Sequence, residues 1–379
     1  LTTKYGYDKA LETLTIWNER SFSQAWKNSM QQYYSKFIAK ADKQPTGTKI
    51  LHRKNSGAIN IAPSLSPDGK YVIFLSEKDL FTFDLFMADA KTGKIVKKIS
   101  STIRQNQIDD FNFLESGGTW SPDGKKFAFV TFSKGRNRLL IIDINNPAYS
   151  TEKDLKTIDA FSNPAWSPDG KSIVVTGLKE GVTDLYSYQV EKDTTFRLTN
   201  DVYCNLMPSW SKDGRFIVYS TDRPAEGQTG IQKGYSLAIF DVQTKEIKVL
   251  PVFPGAENLN AQIDSTGDNV YFLSDANGIR NLYHYNVSSN ETKRLSNAQT
   301  GVCGVTHFTP ALTMNHQNII YTYYWNGDYN LYKANINDFK AVKVNTDEVN
   351  FDAAILPPFK RIGKDIVNVN LGEAIDKST

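Results

Sequence analysis

Cysteine and histidine are scarce: two and four in 379 residues. That excludes a disulfide framework and a four-cysteine zinc site. Cys204 and Cys303 fall in connections separated by a whole repeat, beyond the reach of one bridge across packed sheets. Two free thiols weigh against a strongly oxidising compartment. None of His52, His284, His307 and His316 pairs with another at i, i+4, and no His-Glu-x-x-His or Gly-x-Ser-x-Gly occurs. No apolar run approaches the length of a membrane span. The net charge of +3 is too small to mark a nucleic-acid or anionic-membrane surface. Gly170-Lys171-Ser172 mimics the end of a phosphate loop but lacks the earlier glycine and the following helix, so it reads as a hairpin turn. No catalytic residue, metal or cofactor is predicted. The chain opens Leu1-Thr2-Thr3 without an initiator methionine, which reads as a chain processed or excised from a longer one.

What is present is a repeat. Pro164-Ala165-Trp166-Ser167-Pro168-Asp169-Gly170-Lys171 reads as the end of one strand, a tight turn and the start of the next. Pro168 pre-sets φ, and Gly170 takes the position that needs φ > 0. Ser66-Pro67-Asp68-Gly69, Ser121-Pro122-Asp123-Gly124 and Ser211-Lys212-Asp213-Gly214 are copies, and Ser265-Thr266-Gly267 and Thr313-Met314-Asn315 are decayed ones. A second mark follows each turn as a short strand: Asp84-Leu85-Phe86, Arg138-Leu139-Leu140, Asp184-Leu185-Tyr186, Ser236-Leu237-Ala238, Asn281-Leu282-Tyr283 and Asn330-Leu331-Tyr332. The fourth unit carries an insertion between Arg223 and Gly234. Outer strands are expected at Lys94–Ile99, Thr195–Leu198, Glu246–Leu250, Thr292–Leu295 and Ala341–Val344. Four-stranded units repeating every ~40–55 residues indicate the blades of an all-β propeller. Six repeats predict six blades. Seven is the alternative, with the orphan strand Lys49–Arg53 either completing the last blade or joining Phe351–Leu356 and Asp365–Val369 in a composite one.

Residues 1–47 stand apart as a helical segment before a propeller expected over 48–379. Tyr7, Leu11 and Leu14 fit a short helix, and Ser21 with Gln24 is a candidate capping box for a second, along which Trp26, Met30, Tyr33 and Phe37 form one stripe. The segment is expected to pack against the ring or to be the tail of an upstream domain. Lys4-Tyr5-Gly6-Tyr7-Asp8-Lys9-Ala10-Leu11 followed by Ser21-Phe22-Ser23-Gln24-Ala25-Trp26 is similar to the last two helices of gluzincin-type zinc metallopeptidase domains. The repeat itself, with Trp120, Trp166 and Trp210 ahead of the Ser-x-Asp-Gly turn, closely resembles the TolB-like propeller. That resemblance implies the fold and a scaffold or binding role in the bacterial cell envelope, periplasmic or otherwise exported, rather than a reaction.

In such a ring, the connections entering the inner strands share one face with the loops between second and third strands. The entering connections carry Asp109, Asp110, Phe111, Asp159, Asp201 and Tyr203; the second set brings Asp222, Arg223, Asp275, Arg280, Trp325 and Asp328. Acids and aromatics gathered there suit a basic or extended peptide, with aromatics as anchors and charge for steering. Asx residues that satisfy turn backbones would give the same pattern. The expectation is a non-enzymatic scaffold binding a protein or peptide partner at its channel mouth. The alternative is an accessory, substrate-gating domain of a larger zinc metallopeptidase.

Overall fold

The structure is a computed structural model and describes residues 6–15, 17–79, 82–101, 110–111, 116–224, 233–264 and 266–357. The chain divides into two compact units, one made of residues up to Lys40 with those from Ala353 on, the other Ala41–Asp352. The first holds helices Tyr7–Thr15 and Glu19–Ile38. The second helix starts two residues ahead of the expected box. Its cap is Asn18, whose Oδ1 accepts from Ser21 N at 2.9 Å. Trp26 of the predicted stripe is 55% exposed.

The second unit contains six antiparallel sheets, the six blades of a propeller. Blade 3 shows the plan: inner strand Ala160–Trp166, then Ser172–Lys179, Val182–Gln189 and outer strand Thr194–Arg197. Its turn is built as the sequence requires. Gly170 has φ 76°, Gly170 N donates to Ser167 O at 3.0 Å, and Asp169 Oδ1 accepts from Ser167 Oγ at 2.6 Å and Lys171 N at 3.0 Å. The third-strand mark also has a structural cause. Asp184, fully buried, is paired with Arg197 and accepts from Thr199 Oγ1 at 2.7 Å, tying third strand to fourth; Asp84 with Lys98 does the same in blade 1.

Side chains alternate along each strand, so a blade presents one apolar set to each neighbour. On Lys126–Ser133 of blade 2, Phe127 and Phe129 pack with Ile73, Leu75 and Leu85 of blade 1, while Ala128 and Val130 pack with Ile173, Val175 and Tyr186 of blade 3. Further clusters lie between blades 3 and 4, 4 and 5, and 5 and 6. A sixth joins blade 6 to blade 1 through Leu51, Phe74, Phe86, Ile320 and Leu331. The ring is therefore closed.

Closure is made by the orphan strand. Thr48–Leu51 pairs antiparallel with Asp328–Asn335, Thr48 facing Lys333, as the outer strand of blade 6. That place is thus taken, and the expectation for Ala341–Val344 is corrected: Val342–Lys343 pairs with Glu291–Arg294 as a fifth strand on blade 5. Phe351–Leu356 forms no strand, residues 352–354 making a turn, and Asp365–Val369 lies outside the described residues.

Candidate functional site

Four of the six inner strands are bulged at one equivalent place. Pairing registers shift between Ile61 and Ser64, Ser162 and Ala165, Leu206 and Ser209, and Leu259 and Gln262. At these steps Ala62, Asn163, Met207 and Asn260 have φ of 49–55°, a left-handed conformation that non-glycine residues adopt at a cost of ~1–3 kcal/mol. A proline follows three of them: Pro63, Pro164 and Pro208. Neighbouring blades hold the bulges in place. Asn163 N donates to Ser116 Oγ at 3.0 Å, and Met207 N donates to Thr176 Oγ1 at 3.1 Å. Asn260 Oδ1 accepts from Ala311 N and Leu312 N.

From these bulges to the Ser-Pro-Asp-Gly turns runs an axial cavity of about 1150 Å³. Its wall begins at Pro63, Gly117, Asn163, Met207, Asn260 and Pro310 and ends at Pro67, Pro122, Pro168, Lys212, Asp264 and His316, so it occupies the turn-side half of the channel. The volume exceeds the ~300–1,000 Å³ usual for a small-molecule pocket. The lining is mainly proline, carboxamide, hydroxyl and aromatic; its ionisable members are Lys212, Asp264, Tyr271 and His316. Burial pushes the Tyr271 hydroxyl up to about 12, so it lines the wall as a neutral group.

The three tryptophans serve the wall itself. Trp120 Nε1 donates to Ser64 O at 3.0 Å and Trp210 Nε1 to Ala165 O at 3.2 Å, each reaching the inner strand of the preceding blade. Trp166 Nε1 donates to Gly170 O within its own turn.

At the opposite end of the ring stand those residues singled out from sequence whose side chains are described, and none of them lines this cavity. Asp201 pairs with Arg223, whose guanidinium lies 4.8 Å over the Tyr203 ring. Asp222 accepts from Cys204 N at 2.7 Å, Asp275 from Glu257 N at 2.8 Å and Asp159 from Glu180 N at 3.1 Å. Asp328 is paired with Arg53, and Arg280 Nη1 donates to His307 O. Trp325 is 47% exposed beside Tyr323. The backbone of Asp110 and Phe111 pairs with Phe132 and Thr131, while their side chains and Asp109 lie outside the described set. The structure thus joins Asp201, Tyr203 and Arg223 into one unit and gives Asp159, Asp222, Asp275 and Asp328 backbone or ionic partners. Sequence reasoning missed exposed apolar residues at this end: Phe132 and Leu178, next to last in the strands Lys126–Ser133 and Ser172–Lys179, and Val202 and Val305 on connections.

Cys204 and Cys303 are free, and burial pushes both thiols up. No cluster of metal-ligating side chains occurs among the described residues, and none of their helices is long and apolar enough to cross a membrane.

The sequence matches the TolB beta-propeller domain over residues 103–360. The chain belongs to that family. Over 170 residues it is 32% identical to an uncharacterized protein of Agrobacterium fabrum, covering 44% of this chain and 52% of that one. Over 166 residues it is 31% identical to the Tol-Pal system protein TolB of Ruthia magnifica, covering 40% of this chain and 38% of that one. The chain spans about half or less of the length of these curated relatives. Among solved structures, TolB from Acinetobacter baumannii superposes with a TM-score of 0.52 at 20% identity, over 64% of this chain and 55% of that one. An oligogalacturonate lyase from Vibrio parahaemolyticus gives 0.51 at 12% identity, over 78% and 95%. At these identities the superpositions establish the shared fold.

Proposed function

We propose that this TolB-type propeller is a non-catalytic scaffold of the bacterial cell envelope that holds a partner protein by an extended segment seated in the axial cavity. The cavity carries the reading: a space of about 1150 Å³ whose wall is proline, carboxamide, hydroxyl and aromatic, with ionisable groups Lys212, Asp264 and His316 at the turn end. Such a wall offers hydrogen bonds to an extended backbone and flat surface to its side chains, with little charge to desolvate. It favours binding over chemistry. Asp264 already accepts from Thr266 and Asn269, and it has no facing carboxylate in the lining. Family membership supports the scaffold role, and similarity to the Ruthia Tol-Pal system protein supports an exported, periplasmic setting.

The loop face offers a second reading. Phe132, Leu178, Val202, Val305 and Trp325 stand 38–74% exposed beside the acids there, as a docking surface for a folded protein would require.

The two readings separate experimentally. With the full chain as bait in a native envelope extract, Ser64→Trp and Ser209→Trp narrow the cavity, and Val202→Asp with Trp325→Asp spoils the loop face. Loss of the captured species with the first pair alone supports the cavity. Loss with the second pair alone moves the site to the other face.

A further inference from the structure

On the loop face, blades 4, 5 and 6 bring together polar groups that do not satisfy one another. Tyr235 stands just ahead of Ser236–Asp241, the third strand of blade 4, and is bonded to the connection entering blade 5. Its N–H donates to Ala256 O at 3.1 Å, and its carbonyl accepts from Asn258 N at 3.0 Å. Glu257 is thereby seated between the two blades, its own N–H donating to Asp275 Oδ1 at 2.8 Å. Arg280 comes from the other side of blade 5, just ahead of its third strand Asn281–Asn286. Its Nη1 donates to His307 O, in the connection entering blade 6, at 2.7 Å. Aromatic rings link the same three blades: His307 packs on Phe308 with centroids 4.0 Å apart, and Phe308 meets Tyr235 edge-on at 5.9 Å.

Two members of this group are short of partners. Arg280 forms no ion pair among the described residues, and the bond to His307 O leaves most of its fork of donors unused. Glu257 Oε2 is buried and accepts no hydrogen bond. The two side chains lie near enough to act on each other's charge, yet they are not bonded. Burial accordingly draws Arg280 down and, with Asp275 adding to it, pushes Glu257 up. Asp275 does not relieve the arginine, since its Oδ1 is taken by Glu257 N–H and it forms no ion pair with Arg280.

An unpaired guanidinium beside a buried carboxyl oxygen without a donor is a costly arrangement for folding alone. A ligand that satisfies both must bring acceptors to Arg280 and a donor to Glu257. An α-carboxylate with its neighbouring nitrogen does so, and a planar carboxylate suits the guanidinium fork.

We infer that blades 4, 5 and 6 form a second ligand site at the loop end of the ring, where Arg280 takes an α-carboxylate, Glu257 takes the adjacent N–H, and Tyr235 and Phe308 receive the side chain. The carboxylate belongs to a free amino acid or to the last residue of a peptide. None of these residues lines the axial cavity, so this site and the cavity reading fail independently.

Isothermal titration with L-phenylalanine, N-acetyl-alanyl-phenylalanine and the amide of each tests the site. At least one acid should bind with a Kd of about 1 mM or tighter, and its amide should bind roughly thirtyfold more weakly. Binding of the dipeptide acid assigns the site to a chain end; binding of phenylalanine alone assigns it to the free amino acid. Arg280→Gln keeps a donor for His307 O and loses the charge, so it should weaken the acid that binds roughly thirtyfold. Glu257→Gln keeps an acceptor and should cost phenylalanine, with its ammonium, about tenfold, but the dipeptide less than about threefold. No binding of either acid at about 10 mM would overturn the inference. So would an amide that binds as well as its acid, or an Arg280→Gln variant that binds as wild type does. The acid–amide comparison uses the unaltered chain, so it decides the matter even where a variant fails to fold.

Discussion

Asn260 of blade 5 holds Leu312 of blade 6 with both ends of its carboxamide: Oδ1 accepts from Leu312 N at 2.8 Å, and Nδ2 donates to Leu312 O at 3.3 Å. The same oxygen accepts from Ala311 N at 2.7 Å. One side chain therefore does for two blades what a ladder of backbone bonds does within one.

Asn260→Ala should lower the unfolding free energy by about 3 kcal/mol, because the N–H groups of two buried residues lose their acceptor. Asn260→Gly loses the same bonds but suits the φ of 55°, so it should be less damaging than Ala by about 1 kcal/mol. Urea denaturation of both measures the difference. An alanine variant within about 0.5 kcal/mol of wild type would show that the clamp is dispensable.

Leu51 is fully buried between blades 6 and 1. Leu51→Ala should cost about 3 kcal/mol through lost burial and an incompletely filled space. Leu178→Ala, at a site 38% exposed, should stay within about 0.5 kcal/mol. Hydrogen exchange should then speed up first at residues 48–51 and 331–333, where the closing strand is paired.

Two carboxylates should make stability depend on pH with opposite sign. The Ser167 hydroxyl, helped by Lys171 N–H, holds Asp169 below the usual range. Its contribution is present above the ordinary aspartate value near 3.9 and lost as pH falls through the lower folded value. Burial, then the neighbouring Asp275, raises Glu257. Its contribution is complete below the ordinary glutamate value near 4.3 and lost as pH rises through the raised one. Asp169→Asn should therefore melt below wild type at neutral pH, and Glu257→Gln above it. Both differences should shrink on acidification. Melting curves across the acidic range test both signs, and a Glu257→Gln variant less stable than wild type at neutral pH would refute the second.

The propeller was legible because each blade repeats turn chemistry that has few alternatives: Pro168 and Gly170 fix the hairpin, and alternating residues such as Phe127 and Ala128 must face different neighbours. Val342–Lys343 was misplaced because the spacing of an outer strand does not say which sheet edge is vacant. That depends on Thr48, 285 residues away from its partner Lys333. The cavity was harder to foresee, since it depends on backbone bulges rather than residue class. A signal was present. Pro63, Pro164 and Pro208 each stand three positions ahead of the first turn residue, where a proline cannot donate to the ladder; in blade 6 the expected turn at Thr313-Met314-Asn315 is instead the strand Leu312–Asn315, and the chain turns at His316-Gln317. The loop-face acids look functional in sequence because turn-satisfying and ligand-binding aspartates share the same composition.

The Thr48–Lys333 pairing also sets an order of events during synthesis. Of the propeller's strands, the one that seals the circle is made first and its partner belongs to the last blade, so it waits unpaired while five sheets accumulate behind it. Joining such distant segments carries the entropic penalty of a very long loop. Until they meet, the closing strand and the edge of Asp328–Asn335 are bare to other chains. Crowded, rapid expression should therefore favour exchange of this strand between molecules, and slow synthesis should favour the monomer.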